Sequence, residues 1–281
     1  MTNTSSQHFL KLFLLSVVFN ALGACATPTP QPVVEIAKCT GSGIGLSIPP
    51  TTATLAAITA HNSVEALPVT ELFDRLAKGD EAAMIELGVR YATGKDLPIN
   101  ADRALILFET AARQGNPLGY YFIGTAYSLG FGIPKDGSRA VVFWEEAARL
   151  GYAPSQYALA TMIANGMGGI ERNLCAAVPL FEAAAAQNIS DAAFMLGVAY
   201  HEDELGPADY ERAASWYRKA NKIAFNQKAQ YNLRLLIEQY HVQWQEGDTG
   251  KPAPPRPTNT DTENPQEPKL KLEDPAEKST G

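Results

Sequence analysis

The densest group of side chains that could do chemistry is His201-Glu202-Asp203-Glu204, which follows a helical pattern. Carboxylates and imidazole could bind a cation, but calcium sites need six or more oxygen ligands in a set geometry. A solvated acidic turn therefore explains the group better. No Ser/His/Asp or Cys/His arrangement has the helical spacing that would bring a nucleophile and its base together. The sequence predicts a protein that is not an enzyme and has no catalytic residues, metal site, cofactor or small-molecule substrate.

Cys25 is the cysteine whose surroundings are most specific. An apolar run from Leu12 to Leu22 leads into Leu22-Gly23-Ala24-Cys25, which resembles the lipobox of bacterial lipoproteins. The resemblance implies a lipoprotein signal peptide over residues 1–24 and a lipid anchor on Cys25. Ala26 follows instead of aspartate, which implies sorting to the outer membrane of a Gram-negative bacterium, facing the periplasm. Surface exposure is an alternative, and so is an ordinary signal peptide with a coincidental cysteine.

The two other cysteines are Cys39 and Cys175. In an oxidising compartment two remaining thiols could pair in a disulfide. Alternatively, Cys175 is simply a small buried apolar residue. The sequence leaves both interpretations open.

Composition divides the chain into a folded middle and two polar ends. Of 281 residues 46% are hydrophobic, and the net charge is −7. The lysines and arginines are scattered, which argues against nucleic-acid binding. Residues 25–64 are rich in proline and threonine and predict a flexible tether, whereas residues 247–281 predict a disordered proline-rich tail. The segment 65–246 remains for the folded domain.

Small residues recur in this folded segment at a fixed interval. Gly88, Gly124, Ala160 and Gly197 follow one another at spacings of 36, 36 and 37 residues. A glycine inside a helix costs about 1 kcal/mol relative to alanine. We therefore expect these four residues to be packing positions at which the backbone of a neighbouring helix comes close.

A second set of positions recurs in the same register and divides each unit into two helices of about 13 residues. Pro179 lies inside one of the second helices and predicts a kink or a late start there. The remaining columns are second-helix alanines, the aromatic residues four positions after them, and the N-caps that precede them: Ala104, Ala140, Ala177 and Ala213; Phe108, Trp144, Phe181 and Tyr217; Asn100, Asp136, Asn173 and Asp209.

Three segments carry a resemblance to the Sel-one-like repeat, a relative of the tetratricopeptide repeat: Ala192-x-x-x-Leu-Gly-x-x-Tyr200, Gly130-x-Gly-Ile-x-x-Asp136 and Ala140-x-x-x-Trp-x-x-Ala-Ala-x-x-Gly151. The resemblance implies an all-α protein: an α-solenoid of about four helix-turn-helix repeats with a half-repeat cap at each end. It also implies a scaffold that binds other proteins without catalytic residues. A family branch described as β-lactamase-like carries a cysteine pair in each repeat, but this array contains only Cys175. A cell-wall or β-lactam hydrolase is thus the least favoured alternative.

Two variable columns on the first helices predict a partner-binding groove, because such helices line the concave surface of tetratricopeptide-like arrays. An envelope-anchored scaffold would hold an unknown protein or peptide there; a surface-exposed or secreted factor that binds host proteins is the alternative. Packing between adjacent repeats would explain the same columns. The predicted groove residues are Glu86, Arg90, Tyr120, Phe122, Ala126, Met162 and Met195.

Overall fold

The computed structural model describes residues 48–202, 205, 207–245 and 247–248. Within these residues the chain forms eleven α-helices and no strand. The helices are α1 Thr52–Val64, α2 Val69–Ala77, α3 Glu81–Thr93, α4 Ala101–Arg113, α5 Pro117–Leu129, α6 Gly137–Arg149, α7 Ala153–Asn165, α8 Leu174–Ala186, α9 Ser190–His201, α10 Tyr210–Ile223 and α11 Gln227–Gln239.

Local signals set most of the helix boundaries. The predicted N-caps Asn100, Asp136, Asn173 and Asp209 are confirmed, since each side chain accepts a hydrogen bond from a backbone N–H in the first turn of its helix. Glycines in the left-handed conformation end α3, α5 and α7. Helix α8 begins directly after its cap and continues through Pro179, so the predicted late start was wrong.

The helices pack in chain order as a repeating array. The first helices α3, α5, α7 and α9 each contact the second helix of their own repeat and the second helix that precedes them. Helix α2 supplies a second helix ahead of the first repeat, and α11 supplies a first helix after the fourth. The predicted α-solenoid of four helix-turn-helix repeats with half-repeat caps is confirmed.

The predicted packing glycines make room for aromatic rings. A Cβ atom on Gly88, Gly124 or Gly197 would lie 2.5 Å from Phe108, 2.7 Å from Trp144 or 2.4 Å from Tyr217 respectively. Each of these rings belongs to the second helix of the same repeat. The nearest contact is therefore a ring and not the helix backbone that we expected, although at Gly124 the backbone oxygen of Ala140 also lies 3.1 Å from the added Cβ. Ala160 occupies this position in the third repeat and is fully buried.

The close approach of two backbones occurs five residues earlier on the first helix. A Cβ atom on Gly119 would lie 2.5 Å from the backbone nitrogen of Ala112 and 2.7 Å from the carbonyl oxygen of Phe108, both on the preceding α4. The corresponding residues of the other repeats are also small and fully buried: Ala83, Ser155 and Ala192. This column sets how near consecutive repeats lie.

The predicted tether was too long at its C-terminal end, because residues 52–64 form α1. Thr51 caps this helix by accepting a hydrogen bond from the backbone N–H of Thr54. The helix packs against α3 and α5, where Val64 becomes fully buried. Composition alone does not predict α1, because contacts with distant repeats supply much of its stability.

Several predicted features lie outside the described residues: the signal peptide, Cys25, Cys39, the tether as far as residue 47, and the tail from residue 249. No described helix combines the length and the apolar character needed to cross a bilayer. The chain divides after Gln243 into a second unit. In its described part, Gln245 and Asp248 form a turn with mutual hydrogen bonds of 2.9 and 3.0 Å.

Candidate functional site

Two residues of the predicted groove, Glu86 and Arg90, form a buried ion pair. Both side chains are 2% exposed, and the Arg90 Nε donates a hydrogen bond of 2.7 Å to Glu86 Oε1. Arg90 Nη2 also donates to the backbone carbonyls of Glu65 and Leu67, in the connection between α1 and α2, at 2.9 and 2.7 Å. The pair fastens this connection to α3 and is not available to a partner. The prediction was wrong for both residues.

The apolar residues of the predicted groove lie mainly between repeats. The Phe122 ring stacks on Phe108 of the preceding α4, with the ring centroids 4.7 Å apart. Ala126 and Met162 are buried, at 4% and 8% exposure, so they do not line an open surface. Tyr120 and Met195 are half-buried and pack against the two larger apolar clusters. The alternative interpretation, packing between adjacent repeats, is correct for Phe122, whose ring contacts the preceding repeat.

Helix geometry explains the error. Successive side chains turn by about 100° around the helix axis, so a residue two positions from the packing glycine points to the opposite side of the helix. The glycine faces the second helix of its own repeat. The two predicted columns, two residues before and two after it, therefore face the preceding repeat.

The partly open face of the first helices carries a different column, three residues before the glycine. We call Tyr121, Tyr157, Phe194 and Tyr231 the aromatic column; its spacings of 36, 37 and 37 residues were visible in the sequence but were missed. The first three are half-buried, and Tyr231 is 68% exposed. Four residues further along each helix, the same face carries Thr125, Thr161, Val198 and Leu235.

Contacts within the array orient this column. The rings of Tyr157 and Phe194 lie 6.0 and 5.8 Å from Phe181 and Tyr217, the aromatic residues of their own second helices. The hydroxyls of Thr125 and Thr161 donate hydrogen bonds of 2.9 Å to the backbone carbonyls of the residues four positions earlier. The face thus presents apolar rings on a rigid backbone.

Two tyrosines of the column, Tyr121 and Tyr157, are held in the neutral form. Burial raises the pKa of Tyr121, and burial together with the nearby Asp191 carboxylate raises the pKa of Tyr157. Their phenols are therefore hydrogen-bonding groups and do not supply a base at neutral pH. Such a surface suits the binding of a polypeptide, since tyrosine combines a large apolar area with a polar end.

Part of this face is occupied by the chain itself. We call Ile48–Val64 the strap; it comprises an extended segment and α1. Its side chains Ala57 and Ile58 pack against the apolar cluster that contains Ile85 of α3. Ile85 precedes the aromatic column in the same register and is fully buried, in contrast to the exposed Tyr231 at the other end.

One position of the first helices differs between the repeats that α1 contacts and the end of the array. Six residues before the packing glycine, the first two repeats carry the buried apolar residues Ala82 and Leu118. The fourth repeat and the cap carry the exposed charged residues Asp191 and Lys228 at that position. At this position, therefore, the two repeats that α1 contacts carry apolar residues, and charged residues appear only beyond them.

Cys175 lies at the start of α8, is half-buried and is disulfide-bonded. The interpretation as a simple buried apolar residue is thus wrong. The other two cysteines, Cys25 and Cys39, lie outside the described residues. The pairing of Cys175 with Cys39 stays a prediction.

Among the described residues, no three histidine, cysteine, aspartate or glutamate side chains lie close enough to hold a metal ion. His201 instead packs edge-on against two tyrosine rings, those of Tyr210 and Tyr240, at 5.7 and 5.8 Å. Asp203 and Glu204 of the acidic sequence fall outside the described residues. The described part of this region therefore forms an aromatic cluster.

Comparison with known proteins agrees with this geometry. The model of the Sel1 repeat family matches residues 81–116, 117–152, 153–189 and 190–222, which together make up half of the chain. No curated protein sequence matches.

Two solved structures show similar folds. A protective antigen present in uropathogenic Escherichia coli strains, displaying an SLR fold, is 29% identical over 62% of this chain, with a TM-score of 0.58. The match spans 37% of that antigen. A Sel1 repeat protein from Oxalobacter formigenes is 23% identical over 68% of this chain and 79% of its own, with a TM-score of 0.57.

Proposed function

Because this chain belongs to the Sel1 repeat family, we propose that it is an interaction scaffold that binds partner proteins or peptides along the aromatic column. Sel1 repeats generally mediate protein–protein interaction. The proposal rests on one observation: an aromatic side chain recurs at the same position of successive first helices, on their partly open face. Rings held at regular intervals can contact a polypeptide that runs along the array.

We further propose that the scaffold is anchored to the outer membrane and faces the periplasm. The lipobox-like sequence that ends in Cys25 supports a lipid anchor, and residues 26–47 would connect it to the strap. Several acyl chains hold a protein at a membrane far more firmly than one, since each buried CH₂ contributes about 0.8 kcal/mol.

Surface exposure is the second candidate. The observation in its favour is the similar E. coli protein, which is described as a protective antigen. Protease treatment of intact cells separates the two: a surface-exposed array is digested, whereas a periplasmic one is protected until the outer membrane is opened. A Cys25→Ser variant that remained in the membrane fraction would contradict the lipid anchor in either orientation.

Site-specific cross-linking in cells tests the binding face. A photoreactive residue at Thr161, beside the aromatic column, should trap defined partner proteins. The same residue at Ile106, which is 61% exposed on the second helix α4, serves as the control. We expect partners from position 161 and few from position 106. Adding Tyr231→Ala, which removes an exposed ring, should weaken that capture. The same proteins trapped equally from both positions would contradict the assignment of the face.

A further inference from the structure

We propose that the strap is an intramolecular ligand: it occupies the N-terminal part of the binding face, and a partner helix of similar pattern must displace it. This inference rests on the proposed function and identifies the class of partner. Helix α1 contacts the first helices α3 and α5, the elements that carry the start of the face. It therefore lies where a partner polypeptide would bind.

The first residues of the strap are seated by contacts with the second and third repeats. The Thr54 hydroxyl donates a hydrogen bond of 2.6 Å to the carbonyl of Leu150, and the fully buried Gln156 donates one of 2.9 Å to the carbonyl of Ile48. The array thus binds one backbone carbonyl and one hydroxyl of the strap. Another polypeptide could supply the same two groups.

Gly151 shows that the array accommodates this segment closely. A Cβ atom on Gly151 would lie 2.5 Å from the Pro49 carbonyl oxygen and 2.5 Å from the Pro50 Cα atom. Gly115 occupies the same turn one repeat earlier with nearly the same φ, +84° against +80°, and a Cβ atom there would meet nothing within 4 Å. The close approach at Gly151 thus belongs to the seat of the strap and is not a property of every repeat.

The strap is held by few side chains, which makes it displaceable. In α1 only Thr54 and Val64 are fully buried, while Ala57, Ile58 and His61 are half-buried. Ala56, on the opposite side, is exposed. An element with so little buried apolar surface opens locally more readily than the repeats beneath it.

The side chains of α1 that face the array indicate which kind of partner would fit in its place. They recur at three-, four- and seven-residue spacings of a helix face and, except for His61, are small or β-branched. We infer a partner segment in which an extended Pro-Pro-Thr stretch precedes a helix with alanine, isoleucine and valine on one face. A helix with bulky aromatic residues at those positions would not fit beneath the same backbone.

The test measures binding of a labelled synthetic peptide with the sequence of residues 48–64 to the full-length protein. In the native protein the strap blocks the site, so apparent affinity is reduced by the fraction of molecules in which it is open. Ile58→Glu should unseat the strap and lower the apparent Kd of the peptide by about tenfold or more. Ala56→Glu, on the exposed side of the same helix, should leave the Kd at the native value.

A second pair of variants covers the case in which Ile58→Glu damages the array. Thr54→Val removes the hydrogen bond to the Leu150 carbonyl, whereas Thr59→Val removes one within α1, and neither changes the surface that receives the peptide. Thr54→Val should increase peptide binding and Thr59→Val should not. Equal peptide binding by all folded variants, or none by variants whose α1 amides have lost hydrogen-exchange protection, would overturn the inference. Because no natural partner enters this assay, its failure leaves the cross-linking result standing, and the reverse is also true.

Discussion

The hydroxyl of Thr54 donates a hydrogen bond to the backbone carbonyl of Leu150, 96 residues further along the chain. The bond joins the first turn of α1 to the end of α6, across two complete repeats. A carbonyl at a helix end has no partner within its own helix, so this bond satisfies Leu150 as well as positioning the strap. The contact therefore holds the strap against the end of α6.

Thr54→Val should loosen the strap without disturbing the repeats. The variant loses the bond to Leu150 and one to the Thr51 hydroxyl. Each costs about 1 kcal/mol, which corresponds to about a fivefold loss of protection per bond. Hydrogen exchange of the α1 amides measures it. Thr59→Val is the matched control, because the Thr59 hydroxyl bonds only within α1, to the carbonyl of Leu55. Equal effects of the two variants would show that the contact with Leu150 is not what holds the strap.

Gly124→Ala should destabilise the array although alanine is the better helix former. The added methyl would lie 2.7 Å from Trp144, and overpacking of this kind costs about 1–3 kcal/mol. Urea unfolding followed by circular dichroism measures the change, and the larger Gly124→Leu should cost more. Trp144→Leu in the same chain should recover part of the loss. Ala160→Gly is the opposite control: the third repeat already tolerates a methyl, so removing it should cost about 1 kcal/mol. A Gly124→Ala protein as stable as the native one would contradict the packing role of the glycine.

Arg90→Met should be strongly destabilising, because it leaves the Glu86 carboxylate buried without its cation. Breaking a buried ion pair from one side costs about 3–5 kcal/mol, whereas replacing both partners by apolar residues costs much less. The double variant Glu86→Leu/Arg90→Met should therefore be more stable than Arg90→Met alone in urea unfolding. Arg234→Met provides the control, since Arg234 and Glu238 are also four residues apart and 2.7 Å from each other but are exposed. We expect it to leave the stability nearly unchanged.

Docking of the strap should weaken in mild acid because of His61. Burial lowers the pKa of this imidazole, and the nearby carboxylates of Glu86 and Glu65 oppose that shift only in part. Arg90, hydrogen-bonded to Glu86, is the cation on the facing side. Since a released His61 titrates near its ordinary pKa, about 6.5, the docked state binds fewer protons below that pH. Docking is then strongest above about pH 6.5 and weakens as the pH falls towards the lowered pKa of the docked residue.

Hydrogen-exchange protection factors of the α1 amides measure this dependence. They are compared between pH 7.5 and pH 5.5, a range of about two units around the ordinary histidine pKa. His61→Gln keeps a neutral polar side chain and should flatten the profile. A variant with the same pH dependence as the native protein would assign the titration to another group.

Cys39→Ser should release the Cys175 thiol. In the native protein Cys175 is disulfide-bonded and should not react with a maleimide until it is reduced. Cys25→Ser should leave Cys175 protected, because lipidation would already have consumed the Cys25 sulfur. Loss of the disulfide should also lower stability by about 2–4 kcal/mol. A Cys175 that stays unreactive in Cys39→Ser and reacts in Cys25→Ser would reverse the assignment of the partner.

The fold was predictable from the sequence because its signals are local and recur. N-caps such as Asn100 and Asp136 mark helix starts through hydrogen bonds that span only three residues. The spacing of Gly88, Gly124, Ala160 and Gly197 marks the repeat regardless of how the repeats pack. The repeat also outweighs a misleading signal in a single unit. Pro179 predicts an interrupted helix, but the helix begins at the position that the other repeats predict.

The candidate site was less predictable because it depends on the rotation of each helix about its axis. The glycine column is compatible with an approach from either side, and only the rings of Phe108, Trp144 and Tyr217 show which side the second helix takes. The columns of Phe122 and Met162 were therefore assigned to an open groove, although they lie between repeats.

The sequence by itself determined the helices of the repeats and of the two caps, the number of repeats and the order in which they pack, since these follow from spacing and capping within about forty residues. Only the tertiary structure decided which face stays open and what lies on it. Residues 48–64 have the composition of a linker, and their order comes from contacts between residues as far apart as Ile48 and Gln156. No periodicity encodes such a contact, because it occurs once.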